Sequence, residues 1–287
     1  MSVGTRTNSG SVPVQATAEE KITFSFGRNW QEFLDHYLTP EREKTAVESI
    51  QKFLEKDDLR GLTFLDIGCG SGLFSLAAFR LGAQRIASFD VDPFSVRCCE
   101  RLRERAGNPP HWEVANGSVL DEAFMARVAP ADIVYAWGSL HHTGKMWQAI
   151  RNAAGRVAPR GLFYLSIYNR VEGRGSSEFW MKVKKLYNRA PVPGKRLMEG
   201  AYSLRYDIVP HLMRFRNPLA YMRNYGRRGR GMNYWTDIRD WLGGYPYEYA
   251  STHEIFRFCR RELGLELVNL QSTNTLGVNE FLFHRRD

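Results

Sequence analysis

Thr63-Phe-Leu-Asp-Ile-Gly-Cys-Gly-Ser-Gly72 is the stretch that decides how the rest of the chain is read. Apolar residues run up to Asp66, a glycine turn follows, and Leu73-Phe-Ser-Leu-Ala-Ala78 has the composition of a helix. A buried strand feeding a glycine turn and then a helix aims backbone N–H groups and a helix N-terminus at a ligand. Glycines are required because a Cβ would hold that ligand away. The stretch therefore predicts a nucleotide-like cofactor.

Outward from it, strand and helix signals alternate. Strands are expected at Thr63–Ile67, Arg85–Phe89, His111–Val114, Asp132–Trp137 and Leu162–Ile167. Helices are expected at Leu73–Leu81, Phe94–Ala106, Glu122–Val128 and Met146–Val157, with Pro159-Arg-Gly161 closing the last. Alternation at this pitch means a parallel sheet with helices on both faces. Before it, Gln31 to Leu54 has helical spacing, with Phe33, Leu34, Tyr37 and Leu38, then Ala46, Val47, Ile50 and Phe53, and a break at Pro40. After Asn169 the alternation stops. Helical patches at Glu178–Tyr187 and Leu219–Tyr225 lie in a basic, aromatic, proline-punctuated segment. A helix at Thr252–Leu263 and strands at Leu265–Gln271 and Glu280–His284 resume the sheet. The expected organisation is a tail over 1–20, a helical cap over 21–60, a core formed by 61–169 with 250–287, and a basic insertion over 170–249 that covers the cofactor mouth.

A dinucleotide site needs the pattern G-x-G-x-x-G. Gly68 and Gly70 satisfy its start, but Leu73 stands where the third glycine would let the helix press on the strand. No Gly-Lys-Ser/Thr closes the turn, which excludes a phosphate-binding loop. Asp90 ends the second expected strand, 22 residues beyond Gly68, where a carboxylate can accept both ribose hydroxyls of an adenosine. Asp92, before Pro93, reads as a helix N-cap.

Taken together, Leu65-Asp-Ile-Gly-Cys-Gly-Ser-Gly72, Phe89-Asp-Val-Asp92 and Asp132-Ile-Val-Tyr-Ala-Trp-Gly-Ser-Leu-His-His142 resemble the class I S-adenosylmethionine-dependent methyltransferases, and within them the small-molecule type of ubiquinone biosynthesis. The resemblance covers Leu62 to Asn169, and the two C-terminal strands more loosely. It implies a Rossmann-like seven-stranded sheet with the last strand antiparallel. It also implies that Gly68, Cys69 and Gly70 lie against the amino-acid part of S-adenosylmethionine and that Asp66 faces its ammonium group. By the same resemblance Asp90 meets the ribose, Val91 beside it is a further cofactor-binding residue, Ser118 and Val119 meet the adenine, and Trp137 walls the cofactor. Ser118 stands where many members carry an acid.

Methyl transfer from a sulfonium is an in-line displacement that needs no metal, and alignment of the reacting atoms supplies much of the acceleration. A base is required only for a protonated nucleophile. His141 and His142 follow the fourth strand at the carboxyl edge of the sheet and are the candidates; packing under the turn is the alternative for either. Tyr168, Asn169, Tyr245 and Tyr247 flank the insertion and are candidates for substrate contact, as is Glu248, and Gly243-Gly244 reads as a hinge. Phe26, Arg28 and Trp30 are expected to close over the cofactor. Asn108-Pro-Pro-His111 resembles the Asn-Pro-Pro-Tyr motif of base-amine methyltransferases but precedes the third strand, so it reads as a turn.

Composition bounds the alternatives. The chain has 287 residues, 43% of them hydrophobic and 25% charged, enough for a large core or two small ones. No apolar run approaches the roughly 18 residues of a membrane span. Met1–Glu20 lacks the apolar segment of a secretory signal. Cys69, Cys98, Cys99 and Cys259 have no metal-knuckle spacing, and a reduced, cytoplasmic protein is expected. The formal charge is +9, but between Arg170 and Arg230 there are 15 Lys/Arg against 4 Asp/Glu, a net +11, so the remainder is −2. An anionic small acceptor, an anionic membrane surface or RNA would suit that segment. The reading is methyl transfer from S-adenosylmethionine to an O, N or S atom of a small molecule. The alternatives are an RNA (tRNA) methyltransferase, an NAD-binding oxidoreductase and a non-catalytic cofactor-binding protein.

Overall fold

The computed structural model of the chain describes residues 27–36, 38–225 and 234–287. Expectations for the 1–20 tail and for Phe26, and for the side chain of Arg28, lie outside what is described. Helices α1 (Gly27–His36) and α2 (Pro40–Leu54) precede the sheet. Then come β1 (Thr63–Ile67), α3 (Leu73–Arg80), β2 (Arg85–Asp90), α4 (Pro93–Arg105) and β3 (Trp112–Asn116). They are followed by α5 (Glu122–Arg127), β4 (Ala131–Ala136), α6 (Met146–Ala154) and β5 (Val157–Tyr168). Helices α7 (Ser177–Arg189), α8 (Val192–Ser203), α9 (Val209–Met213), α10 (Pro218–Arg223) and α11 (Tyr234–Gly243) intervene before α12 (Thr252–Glu262), β6 (Leu265–Gln271) and β7 (Val278–Arg285) close the chain.

The seven strands form one sheet in the order β3-β2-β1-β4-β5-β7-β6. The neighbours β3, β2, β1, β4 and β5 are parallel, and β7 runs antiparallel between β5 and β6. The two-residue repeat of a strand splits its side chains between two faces. Leu65, Ile67, Val134, Ala136, Phe163 and Leu165 point to one face, under α5, α6 and α12. Phe64, Ile86, Ile133, Tyr135 and Tyr164 point to the other, under α2, α3 and α4. Strand order reverses between β1 and β4, and in such sheets the ligand crevice opens at the carboxyl ends of that pair.

Two local expectations are corrected. Pro159-Arg-Gly161 does not close α6, which ends at Ala154; it lies inside β5 as a bulge. Val157 pairs with Ala131 and Leu162 with Ile133, so the extra residues loop out, with Arg160 at φ +61°. The second correction concerns the insertion, where α8, α9 and α11 were not expected. Pro193 sits in the first turn of α8, where its missing N–H is harmless. Pro210 is accommodated because a π-turn at Leu204–Ile208 opens the helix ahead of it. The two ends of the insertion meet at the tip of β5: Ala250 N–H donates to Tyr168 O (3.0 Å) and Arg170 N–H to Ala250 O (3.1 Å). Buried Trp180, Tyr187, Tyr234, Ile238, Leu242 and Tyr247 give these helices a core of their own.

Candidate active site

The glycine turn after β1 is held in a conformation that side chains avoid. Gly68, Gly70 and Gly72 have φ of +73°, +53° and +82°. A Cβ on Gly68 would lie 2.4 Å from Ser139 Cβ, so this glycine lets the turns after β1 and β4 touch. Ser139 Oγ fastens that contact by donating to Ile67 O (2.8 Å). A Cβ on Gly70 would lie 2.9 Å from the indole nitrogen of Trp30. Helix α1 therefore sets an aromatic side chain over the turn. Its own start is fixed by Gly27 N–H donating to Asp92 Oδ2 (3.0 Å).

Asp90, at the end of β2, is oriented by two backbone donors, Gly70 N–H to Oδ2 (3.0 Å) and Asp92 N–H to Oδ1 (2.9 Å). Each oxygen keeps a further lone pair for a diol. Burial raises its pKa against these bonds. Asp92 caps α4 through Phe94 N–H (2.9 Å), as its place before Pro93 predicts. Neighbouring Val91 is 69% exposed.

Asp66 is buried beneath the turn. It ends a polar chain that no sequence signal announced: Trp112 Nε1–H donates to Ser88 Oγ (3.0 Å), Ser88 Oγ meets Ser75 Oγ (2.8 Å), and Ser75 Oγ donates to Asp66 Oδ2 (2.5 Å). Desolvation outweighs the Ser75 bond and the carboxyl is pushed up to about 7, with the nearby Asp90 charge adding to it. Cys69 is buried, and its thiol is held well above the usual range by its bond to Cys99 and by burial. Ser118 shapes the turn after β3 by accepting from Leu120 N–H (3.2 Å), while Val119 is part of the core. Trp137 is half-buried against Phe74, ring centroids 6.1 Å apart.

The turn after β4 carries the two histidines. His141 is buried, its ring 4.5 Å from that of His142 and 4.2 Å from that of Tyr168. His141 Nδ1 lies 3.2 Å from Ser166 O and His142 Nδ1 lies 2.6 Å from Pro246 O. A carbonyl only accepts, so both Nδ1 atoms carry the proton and Nε2 is the basic nitrogen of each ring. Burial, with the His142 charge and then Lys184 adding to it, holds His141 well below its usual range. Burial first and Lys184 second bring His142 down to about 4.

The exit of the insertion is clamped to this turn. Besides the Pro246 contact, Glu248 N–H donates to His141 O (2.9 Å), and both Glu248 oxygens accept from Met146 N–H at the start of α6 (3.1 Å each). Glu248, expected to reach a substrate, is instead the cap of α6. Asn169 is likewise engaged by the fold: its amide donates to Thr273 O (2.7 Å) and Thr275 O (3.1 Å), and its carbonyl accepts from Asn279 (3.0 Å). Tyr247 is buried against Tyr168 (4.9 Å), whereas Tyr245 and Tyr168 are half-buried. Lys184 of α7 is fully buried. Its ammonium donates to Trp241 O and lies 4.0 Å from the Trp241 ring and 4.9 Å from that of Tyr247, and burial brings its pKa down to about 7.

The glycine turn, Asp66 and Asp90 form one half of this edge of the sheet; the histidines, Tyr168 and the clamped loop form the other. Among the described residues no group of three or more His, Cys, Asp or Glu side chains is placed to hold a metal ion.

Residues 42–166 match the family model of the ribosomal protein L11 methyltransferase (PrmA). The chain is 34% identical over 118 residues to the ubiquinone biosynthesis O-methyltransferase of Methylobacterium sp. (strain 4-46), a match covering 41% of this chain and 45% of that one. It is 30% identical over 115 residues to the ribosomal protein L11 methyltransferase of Tolumonas auensis, covering 40% and 37%. The matched segment thus spans less than half the length of either relative. Among solved structures, magnesium protoporphyrin IX methyltransferase of Synechocystis PCC 6803, with bound S-adenosylhomocysteine, superposes with a TM-score of 0.53 at 12% identity, over 90% of this chain and 93% of that one.

The core has the class I methyltransferase fold. The seven strands, the antiparallel β7 and the position of the glycine turn are those the resemblance implied. The match ends at residue 166, so it stops short of the insertion that clamps the histidine turn.

Proposed function

We propose that the chain transfers the methyl group of S-adenosylmethionine to a small acceptor held between the β4 turn and the insertion. The observation that carries this is Asp90, a carboxylate whose two oxygens are set by Gly70 N–H and Asp92 N–H beside a turn that tolerates no Cβ. This arrangement fits a ribose diol with an amino-acid tail laid along Gly68 to Gly70. Asp66 beneath the turn faces the ammonium group, Val91 adjoins Asp90 at the cofactor, Ser118 and Val119 border the base, and Trp137 walls the cofactor. Bound there, S-adenosylmethionine supplies an electrophilic methyl group that is displaced in line.

The chain's own contribution is alignment and control of the acceptor's charge. His142, the more accessible histidine, meets the acceptor; His141 beneath it is a positioning residue held by Ser166 O and Tyr168. Removing a proton from a phenol near ~10 with a base near about 4 would cost about 8 kcal/mol at ~1.36 per unit. That gap favours an acceptor already ionised or bearing a neutral lone pair. Neutral His142, with its Nδ1–H on a carbonyl, then accepts at Nε2 a hydrogen bond from an N–H or O–H of the acceptor, and the basic insertion suits an anionic group elsewhere on that molecule. Tyr168 and Tyr245 border that space; Asn169 and Tyr247 support it from behind. The likeness to the ubiquinone biosynthesis O-methyltransferase supports a small acceptor, and the ribosomal protein L11 relatives make a protein acceptor the second reading.

Asp90→Ala tests the central contact. Losing a charge-assisted hydrogen bond is worth about 1.5–3 kcal/mol, so S-adenosylhomocysteine should bind roughly 10- to 100-fold more weakly by calorimetry. Asp90→Asn, which keeps one acceptor, should lose less. Unchanged affinity in Asp90→Ala would remove the basis of the proposal.

A further inference from the structure

The insertion has an outer face that its own packing does not explain. Sixteen large apolar side chains are exposed among the described residues, and eleven of them fall between Phe179 and Leu219. They are organised around one rod. Helix α8, the π-turn and α9 run on from Val192 to Met213, with helical backbone at both junctions. The inner side of the rod carries buried Glu199 and Ser203, and Tyr202 and Tyr206 packed against Trp180. Leu197, Leu204 and Leu212, at spacings of seven and eight, line the opposite side, with Val209 and Met213 beside them. Met213 is 76% exposed and Phe215, in the turn that follows, is 100% exposed.

Basic side chains are interleaved with this face. Between Ser177 and Arg223 there are 10 Lys/Arg against 3 Asp/Glu, a net +7, and Arg205, Arg214, Arg216 and Arg223 are exposed. An apolar ridge among cations matches a surface that is apolar within and anionic at its rim. RNA matches the charge but not the ridge, which apart from Phe215 is aliphatic Leu, Val and Met and offers bases no row of stacking platforms. A second copy would match the ridge, but an isologous contact would bring the exposed arginines of two like-charged faces together. No helix among the described residues is long and apolar enough to cross a membrane, so contact would be from one side.

We propose that the Val192–Met213 rod and the turn through Phe215 lie in the interface of an anionic phospholipid bilayer. Leu204, Leu212, Met213 and Phe215 enter the acyl boundary, and Arg205, Arg214 and Arg216 meet headgroup phosphates. The proposal rests on the surface alone and is independent of the reaction at the sheet edge.

The test is flotation of the full chain with vesicles of phosphatidylcholine, alone or mixed with phosphatidylglycerol. The protein should float with the mixed vesicles and at least tenfold less with phosphatidylcholine alone, and salt should weaken the binding. The variant Leu212→Ser/Met213→Ser/Phe215→Ser should lose at least tenfold, with circular dichroism and S-adenosylhomocysteine binding unchanged. If that variant is misfolded, Phe215→Trp provides a second readout, because brominated mixed vesicles should quench its added fluorescence. Failure to bind mixed vesicles, or added fluorescence in Phe215→Trp that brominated lipid leaves untouched, overturns the proposal. So does RNA binding that vesicles do not displace, or a dimer that the triple variant abolishes.

Discussion

Asp66 makes a quantitative link between the buried core and ligand binding. Its pKa is raised from 3.8 to about 7, chiefly by burial, so at pH 6.5 roughly three quarters of the molecules carry a proton there. An ammonium group about 4 Å away, at an effective dielectric constant near 20, favours the carboxylate by about 4 kcal/mol, or about 3 units. Binding should therefore expel close to ~0.7 of a proton at pH 6.5 and almost none at pH 8.5. Calorimetric titration with S-adenosylmethionine in buffers of different ionisation enthalpy measures this as the slope of apparent enthalpy against buffer enthalpy. Asp66→Asn should flatten the slope at pH 6.5. The same shift acts on stability. A carboxyl raised in the folded state contributes stability that is full below pH 3.8 and is lost as pH rises through 7, about 4 kcal/mol in all. Asp66→Asn should accordingly unfold at a higher temperature than the parent at pH 8 and show no such gain at pH 4. A slope near zero at pH 6.5, or one that persists in Asp66→Asn, would refute the assignment of Asp66 to the ammonium group.

Three further outcomes follow from individual contacts. Gly68→Ala combines a φ of +73° with a Cβ 2.4 Å from that of Ser139, so thermal unfolding should show a loss of at least about 2 kcal/mol together with weaker cofactor binding. Glu248→Ala removes the cap of α6 and should cost about 0.5–2 kcal/mol in denaturant unfolding, most of it restored in Glu248→Gln. Lys184, lowered from 10.5 to about 7 by burial, is opposite in sign to Asp66: the folded chain holds fewer protons than the unfolded one between those values, so stability rises by up to about 5 kcal/mol from pH 7 to 10.5. Lys184→Met should remove that rise in urea unfolding measured across this range.

The alternating half of the fold was legible because each strand and helix announces itself locally. Phe64 and Leu65 part to opposite faces on a two-residue repeat, and Gly68, Gly70 and Gly72 mark a turn that only glycine enters. Asp90 was legible from its distance to that turn. The insertion was not: Pro193 and Pro210 resemble helix breakers, and nothing local reveals that a π-turn absorbs the second. Lys184 sits in Lys182-Val-Lys-Lys185, which reads as solvated, yet one member of the run is buried because α11 and the loop after it supply an aromatic cage. The Glu248 cap joins residues 102 apart, and Trp30 reaches Gly70 from another helix. Such pairings depend on how elements dock, and local composition does not encode them.

The central claim is that the glycine turn and Asp90 receive S-adenosylmethionine. Parallel calorimetric titrations of the full chain with S-adenosylhomocysteine and with NAD test it most directly. One S-adenosylhomocysteine should bind per chain, with loss of affinity in Asp90→Ala, and NAD should give no binding heat. Saturable binding of NAD with no response to S-adenosylhomocysteine would contradict the account.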